Sequence, residues 1–147
     1  MYSKNFLRKK FFIIRKKKYS PNIELDYLKI DKIIKKHFKK KIYIGGYYPS
    51  NYELNILNLL IKAHKSKEKI CLPVVKNKKK MTFHRWRYKD PLKISRLGIL
   101  EPIAQNEEVI PNILLVPLVA FDKNLNRIGQ GGGYYDKYIN YLKKKKH

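Results

Sequence analysis

The sequence predicts a single α/β domain over residues 1–147, with three layers in which helices cover both faces of a mostly parallel sheet. The longest apolar run, residues 113 to 121, is typical of a buried strand and is too short to span a membrane. Strand-like and helix-like segments alternate along the chain, as in α/β proteins. A chain of 147 residues with 44% apolar content is large enough for one core.

Local patterns predict the individual elements. Residues 4 to 18 have helical character, and Ser20 with Pro21 is typical of a cap and first turn, so a second helix is predicted through about Phe38. Pro117 counts against a regular central strand because it lacks a ladder donor. Strands are predicted at 41–48, 69–75, 81–86 and 113–121, and further helices from about 53 to 64 and from 134 onward.

A glycine-rich loop is the strongest candidate for a ligand site, with glycines at 129, 131, 132 and 133. Glycines can take positive φ, so several backbone N–H groups can face one concavity, and the following helix N-terminus adds attraction for phosphate. Arg127 supplies a nearby cation, and Asp136 is a candidate ligand for a phosphate-bound Mg²⁺. The loop fits neither a P-loop nor the dinucleotide fingerprint, and a mobile glycine linker is the alternative interpretation.

The charge is strongly positive, at +24 from 35 basic and 11 acidic residues. A nucleic-acid surface would explain this value. However, only six of the basic residues are arginine and the lysines occur all along the chain, so a general bias toward lysine is the favoured explanation. The single cysteine, Cys71, excludes a disulfide within the chain, and we expect a cytoplasmic protein with no membrane partner.

Two further groups are candidates for ligand contact. Lys4, Arg8 and Arg15 lie on one stripe of the first helix and could face a polyphosphate, although a solvated basic face is the alternative. Glu53 is predicted to begin a helix at the carboxyl end of a strand, where ligands bind in open α/β sheets. The alternative role for Glu53 is to stabilise that helix N-terminus.

The segment AFDKNLNRIGQGGGYYDKYI resembles the signature of the 5-formyltetrahydrofolate cyclo-ligase family, whose members carry a similar PLVAFD, RLG and GGGYYDRYL. The similarity extends to the LPVV ending of residues 72–75, the MTFHRW strand and the LGILEP segment, which in the family crosses the substrate side. The resemblance runs from Lys4 to Ile139. It implies a Rossmann-like fold of the NagB/RpiA/CoA-transferase-like type.

The resemblance also implies an activity, the ATP- and Mg²⁺-dependent conversion of 5-formyltetrahydrofolate to 5,10-methenyltetrahydrofolate. In this scheme Asp136 holds the Mg²⁺, and Asp122, at the end of the predicted buried strand, is a second metal or water-mediated candidate. The matching substrate contacts are Arg8, Tyr48, Glu53 and residues 130 to 134. The matching ATP contacts are Lys4, Arg8, Arg127, Gly129, Gln130, Gly131, Gly132, Gly133, Tyr134 and Tyr135. Trp86 could stack on a pterin ring or cover the edge of the core.

The chain departs from the family pattern at its end, where it stops at YLKKKKH (residues 141–147) instead of continuing through further strands. The sequence therefore predicts a sheet that lacks the family's last strands. A working shortened enzyme, a catalytically impaired remnant and an incomplete reading frame are the alternatives, with a basic nucleic-acid-binding module as the rival from another class. We expect a monomer with folinate and ATP as its partners.

Overall fold

A computed structural model describes residues 2–77, 80–103 and 105–145 of the chain. Four helices and nine strands lie within these residues, and no described helix is long and apolar enough to cross a membrane. The helices are α1 (Lys4–Lys18), α2 (Tyr27–His37), α3 (Leu57–Lys65) and α4 (Tyr134–Lys145). The strands are β1 (Tyr43–Gly45), β2 (Lys69–Val75), β3 (Met81–Trp86), β4 (Leu92–Ile94), β5 (Leu100–Pro102), β6 (Glu108–Val109), β7 (Ile113–Leu114), β8 (Ala120–Phe121) and β9 (Arg127–Ile128).

Capping side chains decide where the first two helices begin. Ser3 accepts a hydrogen bond from the backbone N–H of Phe6, so α1 has the bounds that the sequence predicts. The predicted start of the second helix at Ser20 and Pro21 is wrong. Asp26 caps that helix by accepting from the N–H groups of Leu28 and Lys29, and α2 therefore begins at Tyr27.

The main sheet has five strands in the order β6-β3-β2-β1-β7. Strand β1 pairs in parallel with β2 and β7, whereas β3 is antiparallel to both β2 and β6. The described sheet is therefore mixed, and the prediction of a mostly parallel sheet is correct only in part, because β3 runs against the other four strands. The tight β2–β3 connection is the reason, because a short hairpin can join only antiparallel strands.

The apolar run at 113–121 does not form one central strand. Only Ile113 and Leu114 pair with β1, at the edge of the sheet. Pro117 lies in the non-strand segment that follows, and the run ends in β8, which forms a separate hairpin with β9. The strand directly before the glycine loop is thus β9. Pro117 lacks the N–H that a strand residue would donate, and the two ends of the run pair with different strands, β1 and β9. These two features explain the interruption.

Helices cover the two faces of the main sheet. Leu59 and Leu60 of α3 pack with Ile70 and Leu72 of β2 in one core, which α2 and Trp86 complete. Cys71, between those two strand residues, faces the other way and packs with Phe83 and with Tyr138 of α4. Trp86 is buried and donates its indole N–H to the Asp90 carbonyl, so it is a core residue. This arrangement leaves the carboxyl ends of β1 and β2 open to a cavity.

Candidate functional site

A cavity of about 390 Å³ lies at the carboxyl ends of the parallel strands β1 and β2. This volume is within the range of small-molecule sites, and the place is the one at which open α/β sheets bind ligands. Much of the wall comes from the segment after β1, the end of β2, the β4–β5 hairpin and the glycine loop, with further residues from α1, β3, β9 and α4. The lining includes Arg8, Tyr47, Tyr48, Asn51, Glu53, Val75, Met81, Leu97, Glu101, Arg127, residues 129 to 135 and Asp136.

The glycine loop, residues 129 to 133, connects β9 to α4 and needs glycine at two positions. Gly131 has a φ of +115°, a conformation that side chains other than glycine rarely adopt. A Cβ on Gly132 would lie 2.9 Å from the Tyr134 ring, so this position has no room for a side chain. In the described part of the chain, no backbone N–H group of residues 130 to 133 donates a hydrogen bond. These N–H groups precede the N-terminus of α4, and this geometry suits an anion.

Two arginines bring positive charge to this loop. Arg8 of α1 donates from Nε to the carbonyl of Gly129 at 2.8 Å, and its guanidinium lies 3.8 Å from where a Cβ of Gly131 would stand. Arg127 of β9 donates to a carboxylate oxygen of Asp136 in the first turn of α4. These contacts bring both arginines to the glycine loop, and their role in binding ATP stays a prediction.

Asp136 is the carboxylate best placed for a metal bound to phosphates. Its side chain is 70% exposed and lines the cavity, and only one of its oxygens is bonded to Arg127. Mg²⁺ in nucleotide sites is held through one or two carboxylates together with phosphate oxygens, so a single carboxylate here fits that ion. Within residues 2–77, 80–103 and 105–145, no three His, Cys, Asp or Glu side chains form a cluster that could hold a metal.

Glu53 is buried in the cavity wall, with 7% of its surface exposed. One carboxylate oxygen accepts from the backbone N–H of Ser50 at 2.9 Å, and the other accepts from Gln130 Nε2 at 2.7 Å. Burial raises the pKa of Glu53, and the hydrogen bonds and Arg15 oppose that rise. The prediction that Glu53 begins a helix is wrong, because α3 begins four residues later; its proposed role as a helix-terminus charge is excluded with it.

Tyrosines form much of the remaining wall. Tyr47 is buried and donates its hydroxyl to the Leu54 carbonyl at 3.0 Å, and burial raises its pKa to about 12. Tyr48 and Tyr134 are half-buried and line the cavity. Tyr135 packs edge-on against Phe83, and its buried hydroxyl has no hydrogen-bond partner among the described residues. Burial raises the pKa of Tyr135 as well.

Two residues predicted for the site lie outside the cavity lining. Lys4 is exposed, one helical turn before Arg8 on the same face of α1. Asp122 forms the β8–β9 turn, where its oxygens accept from the N–H groups of Asn124 and Asn126 and from the Asn126 amide. These hydrogen bonds lower the pKa of Asp122. The structure thus gives Asp122 a turn-forming role, outside the cavity lining to which Asp136 belongs.

The cavity includes residues to which no role was assigned from the sequence. The β4–β5 hairpin contributes Leu97, Ile99 and Glu101, in the segment expected to cross the substrate side. Glu101 is buried, accepts from the N–H of Val75 at 3.1 Å and is 3.4 Å from Lys93 Nζ. The signal available in the sequence for Glu101 was a carboxylate inside the otherwise apolar segment LGILEP. Tyr47 also lines the wall, and nothing in its local pattern distinguishes it from Tyr48.

Comparisons with known proteins find relatives of this chain. A sequence profile described as "5-formyltetrahydrofolate cyclo-ligase family" matches residues 1–147. The chain is 34% identical over 102 residues to the 5-formyltetrahydrofolate cyclo-ligase of Haemophilus influenzae, across 65% of this chain and 54% of that protein. It is 32% identical over 93 residues to the Escherichia coli cyclo-ligase, across 59% of this chain and 51% of that protein. The chain thus spans about half the length of these curated relatives.

Solved structures have a similar fold. The NMR structure of Aquifex aeolicus 5,10-methenyltetrahydrofolate synthetase superposes with a TM-score of 0.69 at 28% identity, across 93% of this chain and 72% of that one. A 5,10-methenyltetrahydrofolate synthetase from Mycoplasma pneumoniae superposes with a TM-score of 0.62 at 20% identity, across 95% of this chain and 78% of that one. The second likeness concerns the fold alone.

Proposed function

Because the chain belongs to the 5-formyltetrahydrofolate cyclo-ligase family, we propose that it converts 5-formyltetrahydrofolate and ATP into 5,10-methenyltetrahydrofolate, ADP and phosphate. The observation that carries this proposal is the convergence of an anion-binding glycine loop, two arginines and a buried carboxylate on one cavity. The sheet with helices on its two faces supports assignment to the three-layer Rossmann-like group. A cytoplasmic, monomeric protein remains our prediction.

The glycine loop and its cations form the proposed ATP side of the cavity. The N–H groups of residues 130 to 133 are directed by the loop before α4, so they can donate to phosphate oxygens. Arg8 and Arg127 neutralise charge on the phosphates, and Lys4 reaches them from the preceding turn of α1. Asp136 would hold Mg²⁺, which when bound supplies neutralisation of the charge on the transferred phosphoryl group.

Glu53, Gln130 and Tyr48 form the proposed folate side. The Glu53 carboxylate can accept from N–H groups of the pterin, and the aromatic and aliphatic walls suit the flat rings. The anionic glutamate tail of the folate would be attracted by the +24 charge of the chain. The two sides meet at Gln130, which belongs to the glycine loop and bonds Glu53.

The reaction needs positioning and charge neutralisation from the protein. The formamide oxygen attacks the γ-phosphorus and ADP leaves, so a poor leaving group becomes a phosphate ester. N10 then attacks the formyl carbon and loses its proton, and the C–O bond breaks with release of phosphate. Neither step uses a covalent protein nucleophile. The cavity would accelerate them by holding the formamide oxygen and the γ-phosphate together in a site with preorganised donors.

Incubation of the purified full chain with folinate, MgATP and a control lacking ATP tests the proposal. We expect ATP-dependent formation of the methenyl product, followed by its absorbance. Calorimetric titration with folinate and with ADP in parallel identifies an impaired member, which would bind both ligands without turnover. Failure to bind either ligand would refute the assignment, and salt-sensitive binding of single-stranded RNA instead would favour the nucleic-acid alternative.

A further inference from the structure

The turn that holds Glu53 has an unfavourable backbone. Asn51 and Tyr52 both have positive φ, at 47° and 63°, although neither is glycine. Such conformations persist only where surrounding contacts determine them. Within the turn, the N–H of Glu53 donates to the Ser50 carbonyl and the Glu53 carboxylate accepts from the Ser50 N–H. Because such backbone conformations depend on their surroundings, contacts from outside the turn are important for its shape as well.

Arg15 of α1 supplies one such contact from outside, in addition to the Gln130 hydrogen bond to Glu53. Its Nη2 donates to the Asn51 carbonyl at 2.8 Å, and its Nη1 donates to the Leu118 carbonyl at 3.0 Å. One guanidinium thus joins two loops that adjoin the cavity, 36 and 103 residues away along the chain. Its Nε is buried without a hydrogen-bond partner in the described part of the chain. This geometry uses the planar fork of arginine, which lysine does not have.

Helix α1 lies at the surface of the protein, and the Arg15 contact is one of those that hold it there. None of its residues is buried, so it is not anchored by the core. Its contacts with the rest of the protein include Arg8 at Gly129, Arg15 at the two loops, an edge-on contact between Phe12 and Tyr52, and Lys16 over the Tyr52 ring. Because Tyr52 belongs to the strained turn, the helix and the turn support each other.

We propose that Arg15 is a positioning residue that fixes the Glu53 turn and docks α1, with Arg8, over the cavity. Arg15 itself is absent from the cavity lining, so it acts through Glu53 and through the helix. This inference rests on the proposed function only for its catalytic consequence, since the docking is a property of the ligand-free protein.

The charge of Arg15 adds a second consequence. Arg15 and the donors from Ser50 and Gln130 lower the pKa of Glu53 against the larger effect of burial. The other titratable groups facing this carboxylate are the hydroxyls of Tyr47 and Tyr135, which stay neutral because burial raises their pKa. Removing the Arg15 charge therefore raises the pKa of Glu53 further. If folinate binds only when this carboxylate is ionised, acidification weakens folinate binding at a higher pH in such a variant than in wild type.

Hydrogen exchange on the ligand-free full chain tests the docking. Arg15→Gln removes the fork and the charge, Arg15→Lys keeps the charge, and Lys17→Gln removes one charge from an exposed α1 residue as the matched control. We expect at least about tenfold faster exchange at residues 51 to 53 and along α1 in Arg15→Gln, a partial effect in Arg15→Lys, and none in Lys17→Gln. Unchanged exchange in Arg15→Gln would overturn the proposal.

Measurements of folinate binding test the consequence of Arg15 for the proposed function. We expect the Kd for folinate to rise about tenfold in Arg15→Gln, with the acid limb of its pH profile shifted to higher pH. Arg15→Lys should weaken binding without shifting that limb, because it keeps the charge. Equal pH limbs in wild type and Arg15→Gln would refute the electrostatic part. A wild-type protein that binds no folinate would refute the proposed function, whereas the exchange measurement would still decide the role of Arg15.

Discussion

Gln130 donates from its side-chain amide to the Glu53 carboxylate at 2.7 Å, across 77 residues of sequence. The first residue belongs to the glycine loop and the second to the turn after β1. This bond joins the two walls of the cavity that the proposed reaction assigns to nucleotide and folate. It also provides one of the three donors that satisfy this buried carboxylate.

Removing that donor tests the energetic value of the link. In Gln130→Ala, one buried oxygen of Glu53 loses its partner, so we expect the free energy of unfolding to fall by about 1–3 kcal/mol. Urea denaturation measures this change. Gln105→Ala, at an exposed position, is the control and should change stability by less than about 0.5 kcal/mol. Equal midpoints for the two variants would show that the bond contributes nothing.

The raised pKa of Glu53 predicts the pH dependence of stability. A carboxyl group whose pKa is higher in the folded state binds more protons when folded, so its contribution is fully present below the unfolded value of 4.5. That contribution is lost as pH rises through the folded pKa. Glu53→Gln has no carboxyl group that titrates at this position. We therefore expect the unfolding free energy of the variant to decline less than that of wild type between about pH 4.5 and 7. Parallel pH profiles for wild type and variant would contradict the assignment.

Local signals predicted the site better than the sheet. The helix bounds of α1 follow from its periodicity and from Ser3, and the glycine loop follows from residue identity alone. The prediction that Glu53 begins a helix was wrong, because Glu53 follows a turn with two positive-φ residues that no local pattern indicates. The strand order and the interruption of the apolar run after Leu114 depend on pairing between distant segments, which composition does not specify.

The two candidate metal carboxylates can be separated by matched substitutions. Asp136→Asn removes the cavity carboxylate, and we expect activity to fall at least about 10- to 100-fold, with partial recovery at high Mg²⁺. Its stability should change by less than about 1 kcal/mol, because the pair with Arg127 is exposed on the Asp136 side. Asp122→Asn retains an acceptor for the turn and should keep its activity. The reverse pattern of activities would assign the metal to Asp122.

Cys71 should be unreactive while the protein is folded. It is fully buried between β1 and β3, and burial raises the pKa of its thiol to about 12, so the reactive thiolate is negligible at neutral pH. We expect a chromogenic disulfide reagent to modify the chain only as it unfolds. Because this is the only cysteine, the signal reports one site. Fast stoichiometric reaction under native conditions would contradict the burial.

Two cavity tyrosines should respond in opposite directions to loss of the hydroxyl. The Tyr47 hydroxyl donates to the Leu54 carbonyl, so Tyr47→Phe loses a hydrogen bond and should destabilise the protein by about 1 kcal/mol. The Tyr135 hydroxyl is buried without a partner among the described residues, so Tyr135→Phe removes an unpaired polar group. We expect that variant to be as stable as wild type or more stable by up to about 1 kcal/mol. Thermal unfolding of both variants decides this point, because a destabilised Tyr135→Phe would mean that its hydroxyl has a partner in the folded protein.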